Sequence, residues 1–272
     1  MYPLILFALA SSLVKLIGAT APDPLAVTLV RQQFFNAHIP QDVLEGGFSP
    51  SALVNLSFGS VGQISTGQAL TVRDVGSQPN VVVEKIFMNN AIKYTILMLD
   101  LSYPGSSNTS GYNLHWLSNN LVLGNDGTLS SGTVVIPYAG PNPPSGDGPH
   151  RYTVFLFQQP TTFVAPSSPK PNSGVQIFNL TSYMYASNIG YPIGGNYFTV
   201  EVGTATVSIL PTTSVDPSTL TSTTEPLKTI STGKYHTTTT KGSGTALITS
   251  FGSVPGALSS IFLFVMFIFQ VM

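Results

Sequence analysis

The chain has 272 residues, and only 8% of them are charged, against roughly 25% in an ordinary soluble domain. Lys and Arg number 10 and Asp and Glu 11, a net charge of −1. This excludes a nucleic-acid binder, which needs a basic face to neutralise phosphates, and recruitment to acidic membranes by a polybasic patch. The absence of cysteine removes disulfides, thiol nucleophiles and cysteine-ligated metal centres.

Mean hydropathy is +0.28, and the two ends supply much of it. Residues Leu4 to Ile17 are apolar apart from Ser11, Ser12 and Lys15, and the small-x-small run Gly18-Ala19-Thr20-Ala21 follows. The pattern predicts a secretory signal peptide over residues 1–21. Next comes a helical pattern with Val27, Val30 and Phe34 on one face, then His38, read as a surface or capping residue. Strand-like runs follow at Ala52–Phe58, Val81–Phe87, Lys93–Leu99, Asn113–Val122, Tyr152–Phe157 and Phe198–Ile209, separated by Gly, Pro, Asn and Ser. In the first, Val54, Leu56 and Phe58 alternate with Leu53, Asn55 and Ser57, a period of two. The run Tyr94–Leu99 is nearly continuously apolar and reads as a central strand. A second helix is expected from Ile177, Leu180 and Met184 on one face, ending near Gly190. Many strands and two helices predict one mostly β domain over 22–210, a sandwich or another two-sheet fold.

About half of Pro211–Lys241 is Ser and Thr. Such a stretch cannot bury enough apolar surface to offset the entropy of ordering, so residues 211–243 are expected to be a disordered stalk, O-glycosylated or plain. The chain closes with a tiny-residue cluster, Gly242-Ser243-Gly244, a polar spacer and the apolar run Ile261–Phe269. Small site, spacer and tail in that order are the signal for a glycosylphosphatidylinositol anchor. Attachment is expected at Ser243, with 244–272 removed. N-glycosylation sequons begin at Asn55, Asn108 and Asn179.

The residues able to do chemistry are few. Asp100 ends the central strand, where an acidic residue starts a turn or meets a ligand. His115 lies within a strand-like run and His150 opens another. Strand geometry puts His150 and Tyr152 on one face and Arg151 on the other, toward a carboxylate. The segment Pro137–Pro149 is dense in Pro and Gly and predicts a rigid loop with backbone N–H groups free to face an anion. No G-x-S-x-G or H-E-x-x-H motif occurs, so an enzyme is not expected, and no cofactor is implied.

Three segments carry a resemblance: Asp100-Leu101-Ser102-Tyr103-Pro104; His115 in a strand, followed by Ser131-Gly132-Thr133; and Tyr138 through Tyr152, whose core is P-x-P-P-x-G-x-G-x-H-R-Y. Together they are similar to the phosphatidylethanolamine-binding protein family, with coverage from about 35 to 203. The resemblance implies a central β-sandwich with flanking helices and a small anion pocket. It implies Asp100, His115, His150 and Tyr152 as the lining, with Pro104 and Gly140 at the rim. The family's acidic motif, D-P-D-x-P followed by Ser-Arg, is altered here. Leu101 and Ser102 replace its Pro and second Asp, and Gly105 and Ser106 stand at Ser-Arg. Three functions are expected to compete. One is a cell-surface binding module for a small anionic ligand or phospholipid headgroup, held to the membrane by its lipid anchor. The others are a serine protease (carboxypeptidase) inhibitor and a structural or adhesive cell-wall protein.

Overall fold

A computed structural model of the chain describes residues 23–85, 91–106, 111–130 and 132–220. All of them fall in the first of the two units into which the chain divides, Met1–Thr224 and Glu225–Met272. The expected signal peptide, the anchor signal with Ser243, the stalk from 221 onward and the sequon Asn108 lie outside the described residues.

Helix α1 (Pro24–Asn36) begins where Asp23 caps it. The Asp23 carboxylate accepts from Leu25 N at 2.9 Å, and Pro24 occupies the first helical position, where no donor is needed. A short α2 (Ile39–Val43) follows, and α3 spans Leu180–Ser187. Strand β1 (Ala52–Phe58) is the middle of a three-stranded antiparallel sheet, between β2 (Gly62–Gln63) and β4 (Asn80–Lys85). The larger sheet runs β10 (Gln176–Phe178), β6 (Tyr112–Leu123), β5 (Lys93–Asp100), β9 (His150–Gln158), β11 (Gly194–Val200) and β3 (Gln68–Leu70). Strands β7 (Leu129–Ser130) and β8 (Thr133–Ile136) also pair with β6. Every named pairing is antiparallel except β3 with β11.

Two cores follow from the period-two side-chain alternation of the large sheet. Ile96 and Met98 of β5, Val154 and Leu156 of β9 and Phe198 of β11 face the small sheet, where they meet Val54, Leu56 and Val83. Leu97, Leu99, Phe155 and Phe157 face the opposite way, onto Phe34 of α1, Ile39 of α2 and Leu180 and Tyr183 of α3. The chain is thus a mostly β sandwich with helices on its outer side. Strand β5 is central, flanked by β6 and β9, as its apolar run predicts. The alternation expected in β1 is also found, with the even-numbered residues 52 to 58 buried.

Three expectations are corrected. The run Phe198–Ile209 is not one strand: β11 starts earlier, at Gly194, and ends at Val200, and Gly203 then turns the chain at φ 73°. Ile177 belongs to β10 and is exposed. The helix starts only after Asn179, whose side-chain oxygen accepts from Ser182 N at 2.8 Å, so its buried face is Leu180, Tyr183 and Ser187. A third helix, α2, lies where two were expected. His38 stands at its N-cap without a capping bond, and its Nε2 lies 3.4 Å from the carbonyl of Pro211. Beyond residue 210, Asn36 Nδ2 donates to Thr213 O at 3.1 Å.

Candidate functional site

Asp100, His115, His150 and Tyr152 come together at one end of the large sheet, on the face turned toward the small sheet. Asp100 and Tyr152 are direct partners across β5 and β9. His150 lies two residues before Tyr152 and so on the same side. His115 arrives by a different route. Met98 pairs with Trp116 and Leu99 with Leu114, so His115 is an extra residue in β6, a β-bulge. The bulge lets two successive side chains, His115 and Trp116, both turn to this face. The His115 ring meets Tyr152 edge-on with centroids 5.3 Å apart, while Trp116 enters the core between the sheets.

Hydrogen bonds fix the ring orientations. His150 Nδ1 lies 3.0 Å from both oxygens of Asp100, and His115 Nδ1 lies 3.0 Å from Ala139 O. A carbonyl and a carboxylate only accept, so both Nδ1 atoms carry hydrogen and both Nε2 atoms are left for other partners. Asp100 also accepts from Ser102 N at 2.8 Å, which closes the turn that leaves β5. The three ionisable side chains are about 5–6% exposed, and Tyr152 is fully buried. Among the described residues, His150 Nε2 and Tyr152 Oη have no hydrogen-bond partner. The nearest carboxylate to that Nε2 is Asp147, at 3.7 Å. Burial first, and the Asp100 carboxylate second, push the Tyr152 phenol far up, so it stays neutral and able to donate.

Arg151 turns to the opposite face, as its strand position predicts. Its guanidinium makes four hydrogen bonds to main-chain carbonyls and one ion pair. Nε donates to Ser102 O at 3.1 Å and Nη1 to Ala37 O at 2.7 Å. Nη1 also pairs with Asp42 at 2.7 Å, and Nη2 donates to Leu101 O at 2.9 Å and Tyr103 O at 3.2 Å. The guanidinium therefore holds from beneath the loop that leaves Asp100. Leu101, where the family motif has Pro, is fully buried in the helix-side core, and Ser102 adopts φ 58°.

The rim residues are placed differently from one another. Gly140 follows the Ala139 carbonyl that binds His115 and lies against the backbone of Val75 and Gly76. Pro104 is buried, with its carbonyl bonded to Leu210 N at 3.0 Å, and it is Tyr103 whose ring comes within 6.5 Å of His150. The Pro-Gly loop does not leave all its amides free: Ala139 N donates to His115 O and Gly146 N to Val202 O. Tyr103, Asp147 and the Ala139 carbonyl are additions to the expected set. The first two lie inside the quoted motifs, whereas a main-chain oxygen leaves no mark in a sequence. Among the described residues, no group of three or more His, Cys, Asp or Glu could hold a metal.

Residues 57–198, just over half of the chain, match the sequence profile of the phosphatidylethanolamine-binding protein family. The chain belongs to that family. The phosphatidylethanolamine-binding fold is also that of the carboxypeptidase Y inhibitor solved in complex with its cognate proteinase. The similarity to that chain has a TM-score of 0.53 and 19% sequence identity, and covers 68% of this chain and 97% of the other. A 26 kDa secreted antigen of Toxocara canis is 28% identical over 159 residues, which are 55% of this chain but only 56% of the antigen. Phomoidride biosynthesis cluster protein N, from a fungal species (strain ATCC 74256), is 30% identical over 162 residues, 56% of this chain and 72% of that protein.

The sequons occupy unlike positions. Asn55 is half-buried in the middle strand of the small sheet, and its amide donates to Glu84 at 2.7 Å. Asn179 is exposed at the N-terminus of α3.

Proposed function

We propose that this chain is a binding module, not an enzyme, and that it takes a small anionic group, a phosphate or a carboxylate, at the Asp100–His115–His150–Tyr152 cluster. One observation carries the reading: two buried polar atoms, His150 Nε2 and Tyr152 Oη, make no hydrogen bond of good geometry among the described residues, with Asp147 near the first and Asp100 and the Asn142 backbone near the second. Leaving such groups unmade costs about 1–3 kcal/mol each, and an anion's oxygens would satisfy both.

Charge sets the conditions. Asp100 and Asp147 stand beside the site, so an anion's oxygens must be met by donors, and the Tyr152 hydroxyl and the ring nitrogen His150 Nε2 are the groups placed to meet them. Glycerophosphoethanolamine and sulfate are suitable probes for isothermal titration. Saturable binding is expected, weakened at least about tenfold in His150→Gln. Full binding by His150→Gln removes the histidine from the function.

The setting proposed for this module is the cell surface, reached by secretion and kept by the lipid anchor at Ser243. The similarity to a secreted antigen supports an extracellular role. Of the two sequons among the described residues, Asn179, exposed and at a helix start, is the better placed for a glycan. Release by phosphatidylinositol-specific phospholipase C, with a mature C-terminus near Ser243, tests the anchor. A second reading, serine protease inhibition, is supported by the fold shared with the carboxypeptidase Y inhibitor. It predicts inhibition of carboxypeptidase Y that survives His150→Gln.

A further inference from the structure

The segment after β11 contributes no side chain to the cluster, yet it is bonded to both loops that bound it. Gly146 N donates to Val202 O at 2.9 Å, and Thr206 N donates back to Gly146 O at 2.8 Å. The Thr206 hydroxyl adds a bond to the same oxygen at 3.1 Å. Gly146 lies four residues before His150, on one wall of the site. Four residues beyond Thr206, Leu210 N donates to Pro104 O at 3.0 Å, on the other wall, the loop that leaves Asp100. Side chains repeat the pattern. A Cβ on Gly148 would stand 2.7 Å from Ile209 Cδ1, and one on Gly105 would stand 2.7 Å from Leu210 Cγ. Both glycines also hold φ near +76° and +91°, the region that favours glycine. Each wall therefore presents a glycine to the same passing segment.

We propose that residues 202–210 are a strap that sets the separation of the two walls, making Thr206 and Leu210 positioning residues of the site. Four residues of extended chain span at most about 14 Å, so a strap fastened at 206 and 210 caps how far the walls can part. The Asp100 wall is held from below by Arg151 only as far as the Tyr103 carbonyl. Beyond it, Pro104 and Gly105 meet the strap. The strap lies past the family-matched residues 57–198 and leads directly into the Ser/Thr-rich stretch. Its far end is fastened to the α1–α2 corner through Asn36 and His38. That an anion is the ligand rests on the function proposed above. That the strap positions His150 against Asp100 does not.

The experiment uses the full chain with Thr206→Pro and Leu210→Pro combined, which removes the two main-chain N–H donors that fasten the strap, and Thr206→Ser with Leu210→Met as the conservative control. The variant is expected to bind glycerophosphoethanolamine about tenfold more weakly, with a melting temperature within about 8 °C of the parent. Its His150 ring resonances should move in NMR spectra, and the Gly146 amide should exchange faster. The conservative pair should keep the parent values. If the parent binds no anion but the His150 resonances and Gly146 exchange change as stated, the anion reading fails and the strap stands. Unmoved His150 resonances and unchanged Gly146 exchange in the double variant overturn the strap, whatever the anion does.

Discussion

His150, Arg151 and Tyr152 are consecutive in β9, yet Arg151 and its two neighbours keep opposite accounts of their polar groups. On the helix side, Arg151 makes four hydrogen bonds to main-chain carbonyls and an ion pair with Asp42, although the residue is only 1% exposed. On the small-sheet side, His150 and Tyr152 are as deeply placed, and each keeps one polar atom unpartnered among the described residues. Burial alone does not separate a structural polar group from a binding one, and neither does a single unpartnered atom, since Thr153 Oγ1 and Asn196 Oδ1 also lack a hydrogen bond; what distinguishes the cluster is that two such atoms stand on adjacent side chains of one face. A closed set such as Arg151's fixes backbone and has no capacity for a ligand. An open set is costly to the empty fold, which is the expected mark of a place where something else completes it.

The comparison breaks most severely at Arg151. Replacing it by Met leaves Asp42 without its partner and strips three carbonyls of the Leu101–Tyr103 turn, together with that of Ala37. Removing one member of a buried pair costs about 3–5 kcal/mol, and the urea midpoint should fall accordingly. A loss below about 1 kcal/mol would mean that water replaces the guanidinium at little cost.

Tyr152→Phe sharpens the other side. It deletes an unpartnered hydroxyl and keeps the ring stacked on Phe198, so stability should hold or rise by up to about 1 kcal/mol. Affinity for the anion should fall several-fold at the same time. Opposite signs in the two measurements distinguish a binding hydroxyl from a structural one, because a structural hydroxyl loses in both.

The smallest effect is alkaline. Burial pushes the phenols of Tyr183 and Tyr197 up to about 12, above the ordinary value near 10. A raised folded-state value means that their contribution is complete below about pH 10 and is lost as the pH climbs toward about 12. Ultraviolet titration of phenolate in the native protein should show these two groups lagging behind the same chain in denaturant. Coincident curves would sink the assignment.

How much of this was legible beforehand depended on the range of the deciding contact. Period-two alternation located β1, because one buried face is enough to write that pattern, and a continuous apolar run located β5, which is buried on both faces. Strand parity likewise separated Arg151 from its two neighbours. The short strands β2, β3, β7, β8 and β10 carry two to four residues each, too few for a period, and their partners decide them. Strand β3 pairs with β11, 130 positions away in sequence, a contact no local window contains. The stretch Val202–Ile209 has strand composition and failed as a strand because loops, not another strand, lie beside it. At the site, Asp100, His150 and Tyr152 follow from strand ends and parity. His115 needed the bulge, and parity alone would have set it opposite Trp116. Contacts just past residue 210 left no trace in the sequence, because Pro211 and Thr213 are held through their carbonyls, which any residue would offer.

The bulge has a practical corollary. Trp116 is the single tryptophan of the chain. Its indole is almost buried, donates Nε1–H to Ser118 Oγ at 3.1 Å and stands edge-on to Tyr138 at 6.1 Å. It follows His115 directly. The molecule thus contains an optical gauge one residue from the imidazole that faces Tyr152. Indole emission, its quenching by iodide and its energy transfer from Tyr138 all report on a single address, without a label and without altering the site. Movement of His115 would be read as a change of colour or lifetime next door.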